Sequence, residues 1–392
     1  MTVPPSVATA VSPEHRVAPQ LTLLDALHRV VVEGASDLHV TAGVPPMVRV
    51  DGKLRPIDGA PVWTADVVAR EIATLMSPEQ RERFELDQEL DFAHALSDEA
   101  RFRVNVYRQR GAMGAVLRLI PTRIRSLREL GMPAAVARFA TLPRGLVLVT
   151  GPTGSGKSTT LAAMIDQINR TRADHIMTIE DPIEFLHTHQ RSVVNQREVG
   201  QDTESFQRAL RQVLRQDPDV ILIGEMRDLE TIQVALTAAE TGHLVFGTLH
   251  TQSAPQTIDR IIDVFPPHQQ DQVRTQLAST LRGVVCQTLI PHASGSGRVA
   301  ATEVLVMTAA VANLIREQQM HQIPGVLQAG STHGMHTLDQ NLAALVDDGR
   351  ITYEAAEERA QDLEGFRQLA RHTSGGSDGI DYGDGFTRRS LR

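Results

Sequence analysis

One run of residues has the composition and spacing of a loop that cradles phosphate groups. The pattern G-x-x-x-x-G-K-[ST] is matched without a mismatch by Gly151, Pro152, Thr153, Gly154, Ser155, Gly156, Lys157, Ser158 and Thr159. Glycines let backbone N–H groups converge on phosphate oxygens, and the N-terminus of a following helix adds a partial positive charge. In such a P-loop the lysine reaches the β- and γ-phosphates and the next hydroxyl binds Mg²⁺. The sequence therefore predicts a site for ATP and Mg²⁺, with Lys157 on the phosphates and Ser158 on the metal.

The flanking residues give this loop the context that it requires. The run 145–150 is apolar and β-branched, which predicts a buried parallel strand, and the run 161–165 opens a helix. A chance glycine-rich turn is the alternative, and the pattern arises by accident in roughly one chain in a hundred of this length. Strand, loop and helix together favour nucleotide binding.

A carboxylate follows a second apolar run. Residues 219–223 are predicted to form a strand, and Glu225 stands just beyond its C-terminal end. In P-loop proteins the acid at this place helps to hold Mg²⁺. A strand-end carboxylate on a solvated loop is the alternative, but the P-loop upstream favours Glu225 as the acid of the Mg²⁺ site.

Three more carboxylates stand close together after another predicted strand, at positions 180, 181 and 184. They could form a solvated loop. They could also lie one strand away from the P-loop, where a carboxylate can accept the proton of an attacking water as a general base. We favour Glu180 for that role and regard Glu184 as a weaker candidate.

Two histidines, His243 and His250, stand at the ends of the predicted strand 243–249. Their spacing does not fit the H-E-x-x-H zinc motif. Strand-end histidines are most often core or loop residues. We expect the ends of this strand to lie near the nucleotide edge of the sheet, so a phosphate-sensing or interface role stays equally open.

Five arginines cluster on the last two strands predicted before residue 121, at positions 101, 103, 108, 110 and 118. Residues 101 and 103 share one face of an alternating strand. They could form a solvated cationic face, or they could act as arginine fingers that stabilise the charge of a transferred phosphoryl group. Spacing alone favours the solvated face.

The elements that must position these motifs fall into two predicted domains. We expect a flexible arm at 1–19, an α+β module at 20–120, a linker at 121–131, an α/β domain with C-terminal helices at 132–365, and a disordered tail at 366–392. In the first module, Asp51 and Gly52 predict a hairpin turn, and Ser77 with Pro78 predicts a helix start.

From residue 145, apolar strands alternate with amphipathic helices, which predicts a doubly wound, mostly parallel sheet. The predicted strands are 145–150, 174–179, 219–223 and 243–249, and the helices between them are 157–170, 203–215 and 228–240. Every later predicted element is helical: 252–263, 267–282, 307–317, 321–329, 336–347 and 352–362.

Composition limits the function classes. The chain has 392 residues, 41% of them hydrophobic, and a formal net charge of −8, which disfavours a broad nucleic-acid surface. The single cysteine, Cys286, stands in an apolar run, so we expect a buried thiol rather than a disulfide or a zinc site. No apolar run approaches the roughly 20 residues of a membrane helix, and we expect a cytoplasmic protein.

In combination, the motifs resemble those of a known family. Residues 151–159, 178–185, 224–232 and 241–251 are similar to the P-loop, Asp box, atypical Walker B and His box of the secretion ATPases that power type II secretion and type IV pili. Segments 34–39, 45–52 and 101–121 resemble the PAS-like N-terminal domain of the PilT-type pilus retraction, or twitching-motility, ATPases, and 321–342 resembles their C-terminal helices. The resemblance covers about residues 20–365.

The resemblance implies a RecA-like P-loop ATPase core with an N-terminal PAS-like domain, assembled into a homohexameric ring. ATP would lie between the two domains. Hydrolysis would drive a domain rotation that is passed to an inner-membrane platform protein, so the chain would work at the inner face of the cytoplasmic membrane through partners only.

The resemblance also implies residue roles. Glu180 would be the catalytic base, Glu225 the acid of the Mg²⁺ site, and His243 and His250 the box histidines. It reverses the preference for a solvated arginine face, because Arg101, Arg103 and Arg118 stand where that family places contacts to the nucleotide phosphates.

Two absences favour the retraction branch of the family. Pilus-extension and type II secretion ATPases usually carry a large extra N-terminal domain and a four-cysteine zinc site, whereas this chain has about twenty residues before the module and one cysteine. One departure stands against it. Ala312 occupies the place of the arginine in the AIRNL-like motif of retraction ATPases, and Arg316 is one helical turn further on. Ala312 could simply face solvent differently in this branch.

We therefore expect a hexameric ATPase that retracts type IV pili. An accessory or regulatory ATPase that does not itself retract pili is the alternative, motivated by Ala312. A nucleic-acid translocase of RecA-like fold is a third class, which the negative net charge disfavours.

Overall fold

The computed structural model describes residues 21–50, 52–97, 100–120 and 123–372. The chain divides into two compact units, Met1–Pro121 and Thr122–Arg392. The arm predicted at 1–19 lies outside the described residues. The linker predicted at 121–131 is described from residue 123, and it differs from the prediction: Leu127 is buried in one cluster with Val136 and Phe139, so the segment packs as part of the second unit.

The first unit combines an antiparallel sheet with helices, as its α+β pattern predicts. Its elements are α1 (Leu23–Val32), β1 (Asp37–Val40), β2 (Met47–Val50), β3 (Lys53–Pro56), α2 (Ala65–Ala73), α3 (Pro78–Asp87), β4 (Glu89–Ser97), β5 (Ala100–Gln109) and β6 (Ala112–Ile120). The strands form a six-stranded sheet in the order β3-β2-β1-β6-β5-β4, and each neighbouring pair is antiparallel.

Alternation along the strands gives this sheet an apolar and a polar face. Leu38, Phe102 and Leu117 lie on the apolar face and form one buried cluster with Leu27 of α1 and Ile72 of α2. Burial of this face against the two helices fixes the register of the strands, because a shift by one residue would expose every apolar side chain.

The predicted start of α3 is confirmed. The Ser77 hydroxyl accepts a hydrogen bond from the backbone N–H of Gln80 at 3.2 Å, and the Gln80 side chain accepts one from the Ser77 N–H at 2.9 Å. Pro78 occupies the first turn, where a missing N–H costs nothing.

The second unit is built on a seven-stranded sheet in the order β13-β12-β7-β11-β10-β8-β9. Its strands are β7 (Gly145–Thr150), β8 (His175–Glu180), β9 (Val193–Glu198), β10 (Val220–Ile223), β11 (Leu244–Leu249), β12 (Leu281–Pro291) and β13 (Arg298–Val306). Neighbouring strands run parallel except β13, which is antiparallel to β12. The predicted mostly parallel sheet is therefore confirmed.

Helices cover both faces of this sheet. They are α4 (Ala134–Phe139), α5 (Lys157–Thr171), α6 (Phe206–Val213), α7 (Leu229–Glu240), α8 (Ala254–Asp263), α9 (Pro267–Thr280), α10 (Ala309–Arg316), α11 (Ile323–Ala329), α12 (Leu338–Asp347), α13 (Tyr353–Glu357) and α14 (Leu363–His372). Alternate residues of β7 pack into separate core clusters, Leu146 and Leu148 on one side and Val147 and Val149 on the other. Burial on both faces explains why the strand is a continuous apolar run.

Three strands were not predicted: β9, β12 and β13. β12 and β13 lie between the helices predicted at 267–282 and 307–317, and only the first of these overlaps β12, by two residues. Cys286 lies in β12 and is buried, as expected. β12 lies between β7 and β13, so its residues are buried on both faces and show no alternation that would mark a strand.

The predicted start of the disordered tail, residue 366, is also wrong. α14 extends to His372, and Phe366 is fully buried in a cluster with Ile290 and Leu342. Residues 373–392 lie outside the described residues. In the part of the chain that the structure describes, no helix has the length and apolar character needed to cross a bilayer.

Candidate active site

The P-loop follows β7 and leads directly into α5, which begins at Lys157. Gly151, Gly154 and Gly156 have φ angles of 138°, 78° and 88°, a region that other residues rarely adopt. A Cβ on Gly151 would also stand 2.2 Å from the carbonyl oxygen of Gln287 in β12. The loop therefore requires glycine both for its backbone conformation and for its close approach to β12.

Two polar groups of the loop are suited to a phosphate. The Lys157 ammonium donates hydrogen bonds to the carbonyl oxygens of Gly151 and Pro152, at 2.9 and 3.1 Å. The hydroxyl of Ser155 is buried and, among the described residues, has no hydrogen-bond partner. A buried orphan hydroxyl is costly unless a ligand satisfies it. Ser158 lies in the first turn of α5 and is partly buried.

Gln287 of β12 forms two hydrogen bonds that hold the P-loop and the start of α5. Its side-chain N–H donates to the carbonyl oxygen of Ser155 at 2.6 Å, and its side-chain oxygen accepts from the Thr160 hydroxyl at 2.9 Å. Both bonds are buried. Gln287 thus ties the loop to the first turn of α5, and no motif in the sequence indicated it.

Glu180, Glu225 and His250 all lie at the edge of the sheet that carries the P-loop. Glu180 ends β8, Glu225 stands two residues after β10, and His250 follows β11 directly. These strands run parallel to β7, so their C-terminal ends meet at one edge. The expectation that Glu180 lies one strand from the P-loop is wrong, because β11 and β10 both separate β8 from β7.

The Glu180 carboxylate is held by neutral donors. The Thr178 hydroxyl and the Gln196 side-chain N–H donate to its Oε1, at 2.6 and 3.2 Å. The residue keeps some contact with solvent, but its carboxylate is surrounded by protein atoms. Burial therefore raises the pKa of Glu180 above its ordinary value, although both hydrogen bonds act in the opposite direction.

The Glu225 carboxylate is held by an arginine and contacts a histidine. Arg227 donates to both of its oxygens, through Nε to Oε1 and through Nη2 to Oε2 at 2.6 Å. His250 Nε2 lies 3.0 Å from Oε1. Burial alone would raise the pKa of Glu225, but the hydrogen bonds and charge of Arg227, together with His250, hold that pKa below its ordinary value.

Lys157 shares an electrostatic environment with two of these acids. Burial lowers the pKa of its ammonium group, and the negative charges of Glu225 and Glu184 oppose this shift. Glu184 is exposed, on the loop after Glu180. The structure thus brings acids of both carboxylate segments into the electrostatic range of the P-loop lysine.

The two histidines of the His box lie at opposite edges of the sheet. β11 begins beside Gly145 at the start of β7 and ends beside Thr150, next to the P-loop. His243 precedes this strand, and its Nδ1 lies 2.9 Å from the carbonyl oxygen of Ala238. The two histidines are separated by the six residues of β11, which span about 20 Å at roughly 3.3 Å per residue. The expectation that both strand ends lie near the nucleotide edge holds for His250 and is wrong for His243.

The three candidate arginines belong to the first unit and share the polar face of its sheet. Arg103 of β5 lies opposite Arg118 of β6, and Arg101 stands two residues along β5 on the same face. Arg118 pairs with Asp37 at 2.8 Å while remaining 69% exposed, and Arg103 lies 3.8 Å from Asp91. Like charges opposite each other are unfavourable unless an anion offsets them. Asp37 and Asp91 supply that negative charge here, while Arg103 and Arg118 of this cationic face stay 46% and 69% exposed.

Sequence reasoning missed three residues of the site: Gln196, Gln287 and Arg227. Arg227 stands two residues after Glu225, and an arginine so close to a strand-end acid is a signal that could have found it. The glutamines lie on β9 and β12, which were not predicted as strands, and no pattern in the sequence connects them to their partners.

A family model described as "Type II/IV secretion system protein" matches residues 14–361. The chain belongs to this family. It is 54% identical over 334 residues to "Type IV pilus retractation ATPase PilT" of Pseudomonas aeruginosa, which covers 85% of this chain and 96% of that protein. It is 50% identical over 343 residues to "Twitching motility protein" of Neisseria gonorrhoeae, covering 88% of this chain and 91% of that protein.

A solved structure supports the same relationship. "Crystal Structure of the Pilus Retraction Motor PilT and Bound ADP" matches with a TM-score of 0.84 and 47% identity, covering 89% of this chain and 100% of that one. The resemblance to PilT-type proteins and the predicted fold class, a RecA-like P-loop core with an N-terminal α+β domain, are confirmed.

Proposed function

We propose that this chain is an ATPase that drives type IV pilus retraction, and hence twitching motility, through the reaction ATP + H₂O → ADP + phosphate. The observation that carries the proposal is a P-loop with two oppositely tuned carboxylates at one sheet edge, in a chain that matches 96% of a pilus retraction ATPase. The chain also matches the whole length of a solved pilus retraction motor, with a TM-score of 0.84.

The phosphates of ATP would bind where the P-loop and the N-terminus of α5 present backbone N–H groups. Lys157 would exchange its bonds to loop carbonyls for the β- and γ-phosphates. The buried hydroxyl of Ser155 would gain the acceptor that it needs. Gln287 keeps the loop in the required conformation throughout, because its bonds run to the loop backbone and to α5.

Ser158 and Glu225 fit a Mg²⁺ site, since hydroxyl and carboxylate oxygens are the ligands that Mg²⁺ prefers. Arg227 and His250 keep Glu225 ionised, which is the form that a metal ligand needs. When bound, Mg²⁺ neutralises charge on the phosphate oxygens.

Glu180 would act as the general base. Its carboxylate accepts a proton from water while the water oxygen attacks the γ-phosphorus, and the bond to the bridging oxygen breaks with its electron pair left on ADP. A pKa raised by burial brings this base closer to the working pH, where proton transfer is most efficient.

We further propose a homohexameric ring in which Arg101, Arg103 and Arg118 contact the phosphates. Guanidinium groups stabilise the charge of phosphoryl transfer, a contribution of about 10³- to 10⁵-fold where it has been measured. The cationic face that carries these arginines supports this role. Hydrolysis would then be coupled to rotation of one unit against the other.

The ring would act at the inner face of the cytoplasmic membrane on a pilus platform protein. The net charge of −8 supports a protein partner rather than nucleic acid.

A deletion strain tests the function. We expect hyperpiliated cells that do not twitch, restored by the wild-type gene but not by Lys157→Ala. Lys53→Ala is the matched control, because Lys53 is exposed on β3 of the other unit, and it should restore twitching. Normal retraction in the deletion strain would contradict the proposal.

An accessory ATPase is a second candidate, favoured by Ala312. The idea that Ala312 faces solvent is wrong: it is 6% exposed and lies in a core cluster with Ile315. Where retraction ATPases carry an arginine, α10 thus has a buried alanine. Arg316, at the end of the same helix, is exposed. Deletion would then leave retraction intact while Lys157→Ala still abolished ATP hydrolysis by the purified protein.

A further inference from the structure

We propose that Gln196 of β9 is a positioning residue for ATP hydrolysis, which orients the Glu180 carboxylate and holds the loop that follows it. This inference rests on the proposed role of Glu180 as general base. It adds a residue of a strand that carries no recognisable motif.

The side-chain amide of Gln196 forms hydrogen bonds through both its nitrogen and its oxygen, to Glu180 and to the loop that follows it. Its N–H groups donate to Glu180 Oε1 at 3.2 Å and to the carbonyl oxygen of Phe185 at 2.8 Å. Its oxygen accepts from the backbone N–H of His187 at 2.8 Å. A flipped amide would place its oxygen against two acceptors and its N–H groups against a donor, so the partners fix its orientation.

The position of Gln196 follows from strand pairing. β9 runs parallel to β8, with Gln196 opposite Thr178. Thr178 donates to the same oxygen of Glu180 at 2.6 Å. The two donors converge on Oε1 from neighbouring strands, which restricts rotation of the carboxylate about its terminal torsion.

Residues at the end of β9 and just after it support the same loop. The buried side chain of Glu198 accepts from the backbone N–H of Ile183 at 3.0 Å, and the Val199 N–H donates to the Glu180 carbonyl oxygen at 2.9 Å. Together with the bonds of Gln196 to Phe185 and His187, these contacts fix the backbone at Glu180 and in the loop that follows it. A carboxylate that must be within hydrogen-bond reach of water benefits from such support.

The test uses Gln196→Met in the full-length protein, because methionine keeps the volume but removes every hydrogen bond. We expect kcat to fall roughly 10- to 100-fold, the range found when an outer-shell partner of a metal ligand is lost, with KM for ATP within about twofold of wild type. The acidic limb of the kcat–pH profile should also move to higher pH, because a lost donor disfavours the charged carboxylate.

Asn195→Ala is the matched control on the same strand. Asn195 Nδ2 lies 2.8 Å from His175 Nε2. His175 starts β8, at the opposite end of the strand from Glu180. We expect its kcat and pH profile to match the wild type. If Gln196→Met does not fold, Gln196→Leu decides, since it also removes both donors and places no second carboxylate against Glu180 Oε1.

A double-mutant cycle separates this inference from the role of Glu180. In a Glu180→Gln background, Gln196→Met should cost less than threefold, because it acts through a base that is already absent. Equal losses in both backgrounds, or an unchanged kcat and acidic limb in the single variant, would overturn the inference while the base assignment stands. Wild-type hydrolysis by Glu180→Gln alone would instead overturn the base assignment.

Discussion

The ends of β8 and β10 lie side by side but hold their carboxylates in opposite ways. Glu180 is surrounded by protein and receives bonds from neutral donors, so its pKa is raised. Glu225 is paired with Arg227 and His250, so its pKa is lowered. Two acids whose environments separate their pKa values have different chemical roles. The first accepts a proton more readily than an ordinary glutamate, and the second keeps its negative charge to lower pH.

The largest effect is expected at the base. Glu180→Gln keeps the shape of the side chain but cannot accept a proton, and kcat should fall by roughly 10²- to 10⁴-fold. The affinity for ATP should stay within about twofold, because the P-loop is unchanged. Steady-state ATPase assays and nucleotide binding of the same preparation measure both values. The control is Glu204→Gln, an exposed glutamate paired with Arg208.

A smaller and different effect is expected at Glu225. Glu225→Gln removes the anion, so the Mg²⁺ concentration for half-maximal ATPase activity should rise roughly 10- to 100-fold, with partial recovery of kcat at saturating Mg²⁺. A Mg²⁺ titration of wild type and variant gives the answer. An unchanged Mg²⁺ requirement would contradict the assignment of Glu225 to the Mg²⁺ site.

The smallest effect is expected from the two histidines of the His box. Its size should differ between them, because they lie at opposite ends of β11. His250→Asn removes a contact to Glu225 and should lower kcat roughly fivefold, the cost of about 1 kcal/mol for one partly exposed hydrogen bond. His243 lies at the sheet edge opposite the P-loop. His243→Asn should therefore leave the ATPase rate of the purified protein within twofold of the wild type. Similar losses in both variants would place the two histidines in one functional unit, against their positions in the sheet.

The sequence predicted the parts of the site that depend on short contiguous patterns. The P-loop is a backbone structure that its own glycines determine, and Glu180 and Glu225 follow apolar runs that are recognisable as parallel strands. His243 was misplaced because both ends of a strand look alike in a sequence. Only the parallel order of the sheet assigns the C-terminal ends to the nucleotide edge.

The supporting residues could not be predicted because they act across the sheet. Gln287 bonds to Ser155 across 132 positions of the chain, and it lies on a strand whose burial on both faces removes any alternation. Gln196 depends on the pairing of β9 with β8. Phe366 was assigned to a disordered tail because its partners Ile290 and Leu342 lie far away in the sequence.

The pH dependence of kcat tests the central claim, that Glu180 is the base and Glu225 is not, most directly. The base form of Glu180 is lost as pH falls through a pKa above the ordinary value for glutamate, about 4.3. We predict an acidic limb with its midpoint above that value in the wild type and in Glu225→Gln at saturating Mg²⁺, and no such limb in the residual activity of Glu180→Gln. A limb that persists in Glu180→Gln, or disappears in Glu225→Gln, would contradict the assignment.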